Sequence, residues 1–227
     1  MTLSNLRALA RAMIPSAKVQ VIPNVTLDII LNEAVKDIAS YTLCLKSNAK
    51  FDVVASQDEY DLSLVVEDFL TPDKPGLWWY NGTIWRKVYP RTLKYLDEFK
   101  PNWRDLSDGS PLDYSIDANI LTISPPPETA VTEGFWLYYA KTPTDMTNDD
   151  HYPFSGSTTE YAHLSIFDFS IILFAKMKIE PMLSKVSDAN LSLAEYKRER
   201  EEKMQMLYRR KDIVAGSDIR MRGPEIC

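Results

Sequence analysis

The stretch Tyr139–Phe154 reads YAKTPTDMTNDDHYPF, and its reading decides the fold. It places Asp145, Asp149, Asp150 and His151 within seven residues, between Pro143 and Pro153. Such a stretch is either an acidic, histidine-bearing ligand loop or a crossing between two differently built parts of the chain. Its flanks favour the crossing. Upstream, Phe135–Ala140 (FWLYYA) has the aromatic, period-two character of a strand. Downstream, Leu164–Ala175 is apolar on nearly every side, the pattern of a buried helix.

Working back from the crossing, the chain reads as β structure. Leu77–Tyr89 (LWWYNGTIWRKVY) sets Asn81-Gly82 between two aromatic runs, the strongest short hairpin signal in the sequence. Leu112–Ser124 predicts a second hairpin turning at Asp117-Ala118-Asn119, ended by Pro125-Pro126-Pro127 because proline cannot donate to a ladder. Phe51–Ala55 and Leu62–Val66 read as further strands, and Arg91–Phe99 as a short helix stopped by Pro101. Earlier still, Leu27, Ile30, Leu31, Ala34, Ile38, Tyr41 and Leu45 recur at steps of three and four. This predicts a helix over Thr26–Lys46 with Thr26 as N-cap. The first residues predict a short helix ended by Pro15, without the apolar run of a signal peptide.

Forward from the crossing, helical period resumes over Thr158–Ile179, with Pro181 as a break. Asp188–Arg210 predicts a long charged helix carrying Glu195/Arg198 and Glu199/Lys203 pairs. The expected architecture is α+β. N- and C-terminal helices form a bundle, into which a Trp/Tyr-rich antiparallel β domain is inserted, and an extended arm follows. The expected divisions are 1–49 (helical), 50–143 (β), 144–157 (linker), 158–212 (helical) and 213–227 (arm).

The totals set bounds on function. The 227 residues suffice for one large or two small domains with a real core. A net charge of −6 argues against gripping duplex DNA through phosphate neutralisation. The two cysteines, Cys44 in an apolar pattern and Cys227 at the end, predict no disulfide and fit a reducing compartment. The longest apolar run is too short to span a bilayer.

The sequence carries no recognisable catalytic set, metal site or cofactor motif. Adjacent residues such as Asp149, Asp150 and His151 rarely converge on one ion, and His163 lies twelve residues on, within a predicted helix. DMTNDD lacks the glycine and glutamate of a calcium loop. Asp168, in the apolar helix, reads as a bonded structural carboxylate before a tuned acid. No phosphate-cradling glycine loop or nucleophile elbow occurs. The cluster Trp78, Trp79, Tyr80 and Trp85 predicts one buried face and one aromatic contact face.

The order of features then resembles a family. It comprises a helix pair, a β module with Trp103 in KPNWRDL, the strand start Pro111-Leu112-Asp113-Tyr114, the strand end Ile123–Pro127, then Tyr138–Pro143 and the helix opening Tyr161-Ala162-His163-Leu164. This succession, over about residues 1–212, resembles the head-to-tail adaptor proteins of tailed bacteriophages, of the tail tubular protein A kind. The resemblance implies a non-enzymatic virion protein of the neck, assembled in the host cytoplasm. It implies a homo-oligomeric ring, commonly of twelve copies, between the portal protein and the tail or nozzle proteins, with DNA passing through unbound. It implies no membrane partner.

On that resemblance the C-terminal arm would reach the portal. Ile213, Ile219, Met221 and Ile226 offer apolar anchors there, and Arg220 and Arg222 offer donors. Trp78, Trp79, Trp85, Arg198 and Arg209 are candidates for intersubunit or tail contact. Two readings from other classes stay open: a carbohydrate- or receptor-binding virion module using the Trp/Tyr hairpin, and a small hydrolase using Asp145–His151.

Overall fold

The structure is a computed structural model and describes residues 1–14, 21–100, 102–183 and 186–219. The chain divides into two compact units, Met1–Thr42 with Pro143–Cys227, and Leu43–Thr142.

The first unit is helical. Helix α1 (Leu3–Met13) is capped by the Thr2 hydroxyl and buries Leu3, Leu6 and Ala10 along one stripe. Helix α2 (Asn24–Thr42) starts two residues before the expected N-cap, because the Pro23 carbonyl accepts the first helical bond from Leu27 N–H at 3.1 Å. Thr26 therefore lies inside the first turn. The helix also stops short of Lys46. Thr42 turns its hydroxyl back onto the Ile38 carbonyl at 2.7 Å, and Leu43 enters the left-handed region at φ 47°.

Beyond the crossing, the α-helix expected from Thr158 begins at Asp168. Ser155 bonds the Thr159 carbonyl at 2.6 Å, and Tyr152 N–H bonds the Ser157 carbonyl at 2.8 Å, so the backbone here is committed to turns. A 3-10 stretch, Ala162–Phe167, leads into α5 (Asp168–Met182). Helix α5 buries Ile171, Ile172, Leu173, Phe174, Ala175 and Ile179 and packs against α1, α2 and the last helix, α6 (Val186–Ile219). It is the central element of the unit. Helix α6 has 34 residues, so it is about 50 Å long.

The second unit is one curled, mixed sheet of β1 (Lys46–Val53), β2 (Glu59–Asp61), β3 (Phe69–Tyr80), β4 (Trp85–Pro90), β5 (Asp113–Asp117), β6 (Ile120–Ser124) and β7 (Val131–Lys141). The strand order is β1-β7-β3-β4-β5-β6-β2. All neighbours are antiparallel except β4 and β5, so the sheet is not purely antiparallel as expected. The two outermost strands meet through the core. Phe51 of β1 and Tyr60 of β2 have ring centroids 6.0 Å apart, and both contact Phe135 of β7. Curling in this way protects edges that would otherwise invite pairing.

Both expected hairpins are present. The β3–β4 loop holds four residues, because Tyr80 pairs with Trp85 and the Asn81 carboxamide accepts from Thr83 and Ile84 N–H. The β5–β6 turn holds two, Ala118 and Asn119, at φ 45° and 70°, the primed geometry that matches strand twist. Leu62–Val66, expected as a strand, is instead a helical turn, α3 (Leu62–Val65). The Asp61 carboxylate caps it by accepting Ser63 N–H at 2.9 Å, and an end-capped turn outweighs a five-residue β pattern. Helix α4 (Leu93–Phe99) lies between β4 and β5, capped by Thr92.

Candidate interaction surfaces

The acidic crossing belongs to the helical unit and is stapled to it. Asn32 of α2 clamps Met146 by both backbone groups, its amide donating to the carbonyl at 3.1 Å and its carbonyl accepting the N–H at 2.9 Å. The Met146 side chain is buried. Arg7 of α1 holds Asp28 through two bonds and reaches Asp149 with a third, at 2.5 Å. Lys36 of α2 pairs with Asp145 at 2.7 Å, and the α1 N–H groups of Leu3 and Ser4 donate to the carbonyls of His151 and Asp149. Gly156 backs directly onto this segment. At φ +58° a Cβ there would lie 2.6 Å from the Thr144 oxygen, so only glycine fits.

The crossing is thus tied to the helices while its aspartates stay exposed to solvent. Two of its three aspartates have cationic partners, on helices more than a hundred residues upstream. The His151 ring bonds within its own loop, to Thr147 N–H and the Asn148 side chain. Among the described residues no group of three His, Cys, Asp or Glu side chains could hold a metal ion. Asp168 lies 2.8 Å from the Met1 amino group. Burial raises its carboxyl above the ordinary range and the amine opposes that shift.

A second polar cluster joins α2 to α6. Tyr196 donates its hydroxyl to Asp37, and Arg200 donates to the same carboxylate oxygen at 2.6 Å. The Arg200 guanidinium stacks over the Tyr41 ring at 3.7 Å, and Tyr41 donates to Glu201. Burial pushes the Tyr196 hydroxyl well above the ordinary phenol range, and the bond to Asp37 adds to the shift.

In the sheet unit, alternation divides the tryptophans as the sequence predicts. Trp79 faces the core and is buried, so it leaves the set of contact candidates. Trp78, Tyr80, Trp85, Trp136 and Tyr138 are half-buried on the other face. Ring centroids lie 5.1 Å apart for Tyr80–Trp85, 5.6 Å for Trp85–Trp136 and 4.9 Å for Trp136–Tyr138. The Lys50 ammonium sits over both Trp85 and Trp136, and Asn48 accepts the Trp136 indole N–H at 3.0 Å. Lys50 and Trp136 were not singled out from sequence, because only the β1–β7 register sets them opposite each other.

The architecture and the match to known families now agree. The profile described as SU10 adaptor protein matches residues 1–222, through both units. The chain belongs to the SU10 adaptor protein family. Membership makes it an adaptor, a structural component of phages, in line with the resemblance read from the order of its segments. No curated protein matches the chain. No helix among the described residues is long and apolar enough to cross a membrane.

The remaining adaptor candidates fall in or beyond α6. Arg198 and Arg209 are exposed on it. The backbone of Ile213–Ile219 continues α6 and is helical where an extended arm is expected. Gly216 costs about 1 kcal/mol against alanine there, too little to end so long a helix. Arg220, Met221, Arg222 and Ile226 lie outside the described residues.

Proposed function

We propose that this adaptor is the subunit of a homo-oligomeric ring that joins the portal to the tail and continues the DNA channel. The observation that carries the reading is the family match over residues 1–222, which takes in both the helical and the sheet unit. The acidic balance, −6 per chain, suits a channel that passes DNA without holding it. The half-exposed aromatic face with Lys50 suits a protein contact, where Trp, Tyr and cations are enriched. It suits sugar stacking less well, since Lys50 covers two of the ring faces and the Trp136 indole is already bonded.

The test is electron microscopy of the chain mixed with its portal. A ring seated on the portal is expected, and deleting Ile213–Cys227 is expected to prevent docking while leaving the fold. Portal binding that survives the deletion would remove the C-terminal segment from the contact. A mixture that never forms a complex would overturn the adaptor-ring reading.

A further inference from the structure

The β3–β4 loop sets up chemistry of its own. Asn81 is followed by Gly82, and the Asn81 carboxamide oxygen accepts the Thr83 N–H at 3.0 Å and the Ile84 N–H at 2.9 Å. An oxygen bonded to the N–H two residues on folds its carbon, Cγ, back over the intervening peptide nitrogen, here that of Gly82. Among the described residues neither the Gly82 N–H nor the Asn81 Nδ2 amine has a hydrogen-bond partner. Gly82 is exposed, with no side chain of its own to hinder approach to the nitrogen. A nucleophilic nitrogen, an electrophilic carbon and two donors on the oxygen that would take up charge are thus in one place.

The geometry points to Asn81-Gly82 as a self-modifying site, where the carboxamide is lost through a cyclic imide. Water or hydroxide takes the Gly82 amide proton, and the nitrogen lone pair forms a bond to Asn81 Cγ. Charge moves onto Oδ1, where the Thr83 and Ile84 N–H groups stabilise it as an oxyanion hole does. Collapse breaks the Cγ–Nδ2 bond, and Nδ2 leaves as ammonia with a proton returned by water. A water then opens the imide. Cleavage between Cγ and the Gly82 nitrogen leaves aspartate, and cleavage between that nitrogen and the Asn81 backbone carbonyl leaves isoaspartate. The sum consumes one water, releases ammonium and leaves a carboxylate, and nothing is oxidised or reduced.

Asp108-Gly109 supplies the contrast. The Gly109 N–H donates to the Pro126 carbonyl at 2.7 Å, so its nitrogen is already committed. Asn119, exposed in the β5–β6 turn, is followed by the bulky Ile120, which pairs with Asp117 in the ladder. Conversion at Asn81 adds a negative charge beside Tyr80 and Trp85, at one end of the aromatic face, and isoaspartate adds a backbone carbon next to strands that pair in register. The loop therefore dates the chain, since older molecules carry a different rim. The inference stands apart from the ring reading.

The experiment holds the full-length chain at mildly alkaline pH in water labelled with heavy oxygen and reads its peptides by mass spectrometry. Asn81 is expected to gain about 1 Da plus the label, with both aspartate and isoaspartate formed. It should convert at least about tenfold faster than Asn119, because only its carbon and nitrogen are held together. Unfolding in guanidinium is expected to slow Asn81, whose loop is lost, and to start label uptake at Asp108, whose neighbouring N–H is freed. Gly82→Ala, which crowds the attacking nitrogen, is expected to slow Asn81 about tenfold or more. Conversion no faster than at Asn119, or faster in the unfolded chain than in the folded one, would overturn the inference. So would aspartate without isoaspartate, the mark of direct hydrolysis, or label uptake at Asp108 in the folded chain. A rate unmoved by Gly82→Ala would overturn it as well.

Discussion

The two units are held together by different means. The sheet unit is one continuous run, Leu43–Thr142, and every strand contributes to a single apolar core around Phe135, Leu137 and Leu121, apart from structure added at its turns. Its buried carboxylate, Asp113, draws its cations, Arg91 and Lys100, from segments close by in sequence. The helical unit is assembled from two segments that the sheet unit separates. Its polar pairs reach across that gap: Arg7 to Asp149, Lys36 to Asp145, Asn32 to Met146, and Asp37 to Tyr196 and Arg200. Apolar burial is non-directional and suffices where the chain is contiguous. Where helices from distant segments must choose one register, directional bonds between them make the choice.

The two units can be followed separately in solution, because all five tryptophans lie in the sheet unit. Trp fluorescence follows that unit, and ellipticity at 222 nm follows mainly the helical one. The largest effect is expected for Phe135→Ala, which empties the centre of the aromatic core and costs about 3–5 kcal/mol. Its urea midpoint should fall sharply by fluorescence and far less at 222 nm. Equal movement of both signals would show that the units unfold as one. Next comes Arg200→Met, which removes the cation from Asp37. With Asp37 partly solvated, a loss of about 2 kcal/mol is expected, seen at 222 nm and not by fluorescence.

Alkaline pH gives a smaller effect. Folding raises the Tyr196 pKa, so its stabilisation is complete below the unfolded value of 10.0 and is lost as pH climbs through the folded one. The 222 nm midpoint should therefore drop between pH 9 and higher pH. Tyr196→Phe, costing about 1 kcal/mol near neutrality, should flatten that dependence. An unchanged pH profile in this variant would remove Tyr196 as the titrating group. The smallest effect is a gain. Ala118→Asn relieves a left-handed alanine in the β5–β6 turn and should raise the fluorescence midpoint by about 0.5 kcal/mol.

Local grammar carried much of the fold. Asn81-Gly82 and Ala118-Asn119 marked their hairpins because turn geometry is set by the residues in the turn. The apolar girth of Ile171–Ala175 marked the central helix because burial on all sides leaves no polar face. Short windows failed: Leu62–Val66 alternates for too few residues to outweigh the Asp61 cap. Long-range partners were invisible. Nothing near Asp145 or Asp149 in sequence points to Lys36 or Arg7, and nothing near Trp85 points to Lys50. Those pairings exist only once α2 meets the crossing and β1 meets β7.

One feature of the sheet unit bears on its ancestry. Its first and last strands are partners: Lys46 sits opposite Ala140, and Lys141 N–H bonds the Leu45 carbonyl at 2.9 Å. Entry and exit of the unit are therefore side by side, as at the base of a loop. A module whose ends meet can be gained, lost or exchanged within a host protein by events at a single position. The hundred residues between Thr42 and Pro143 have the form of such a cassette, free to diversify its outer aromatic face while the helices that frame the insertion keep their own register.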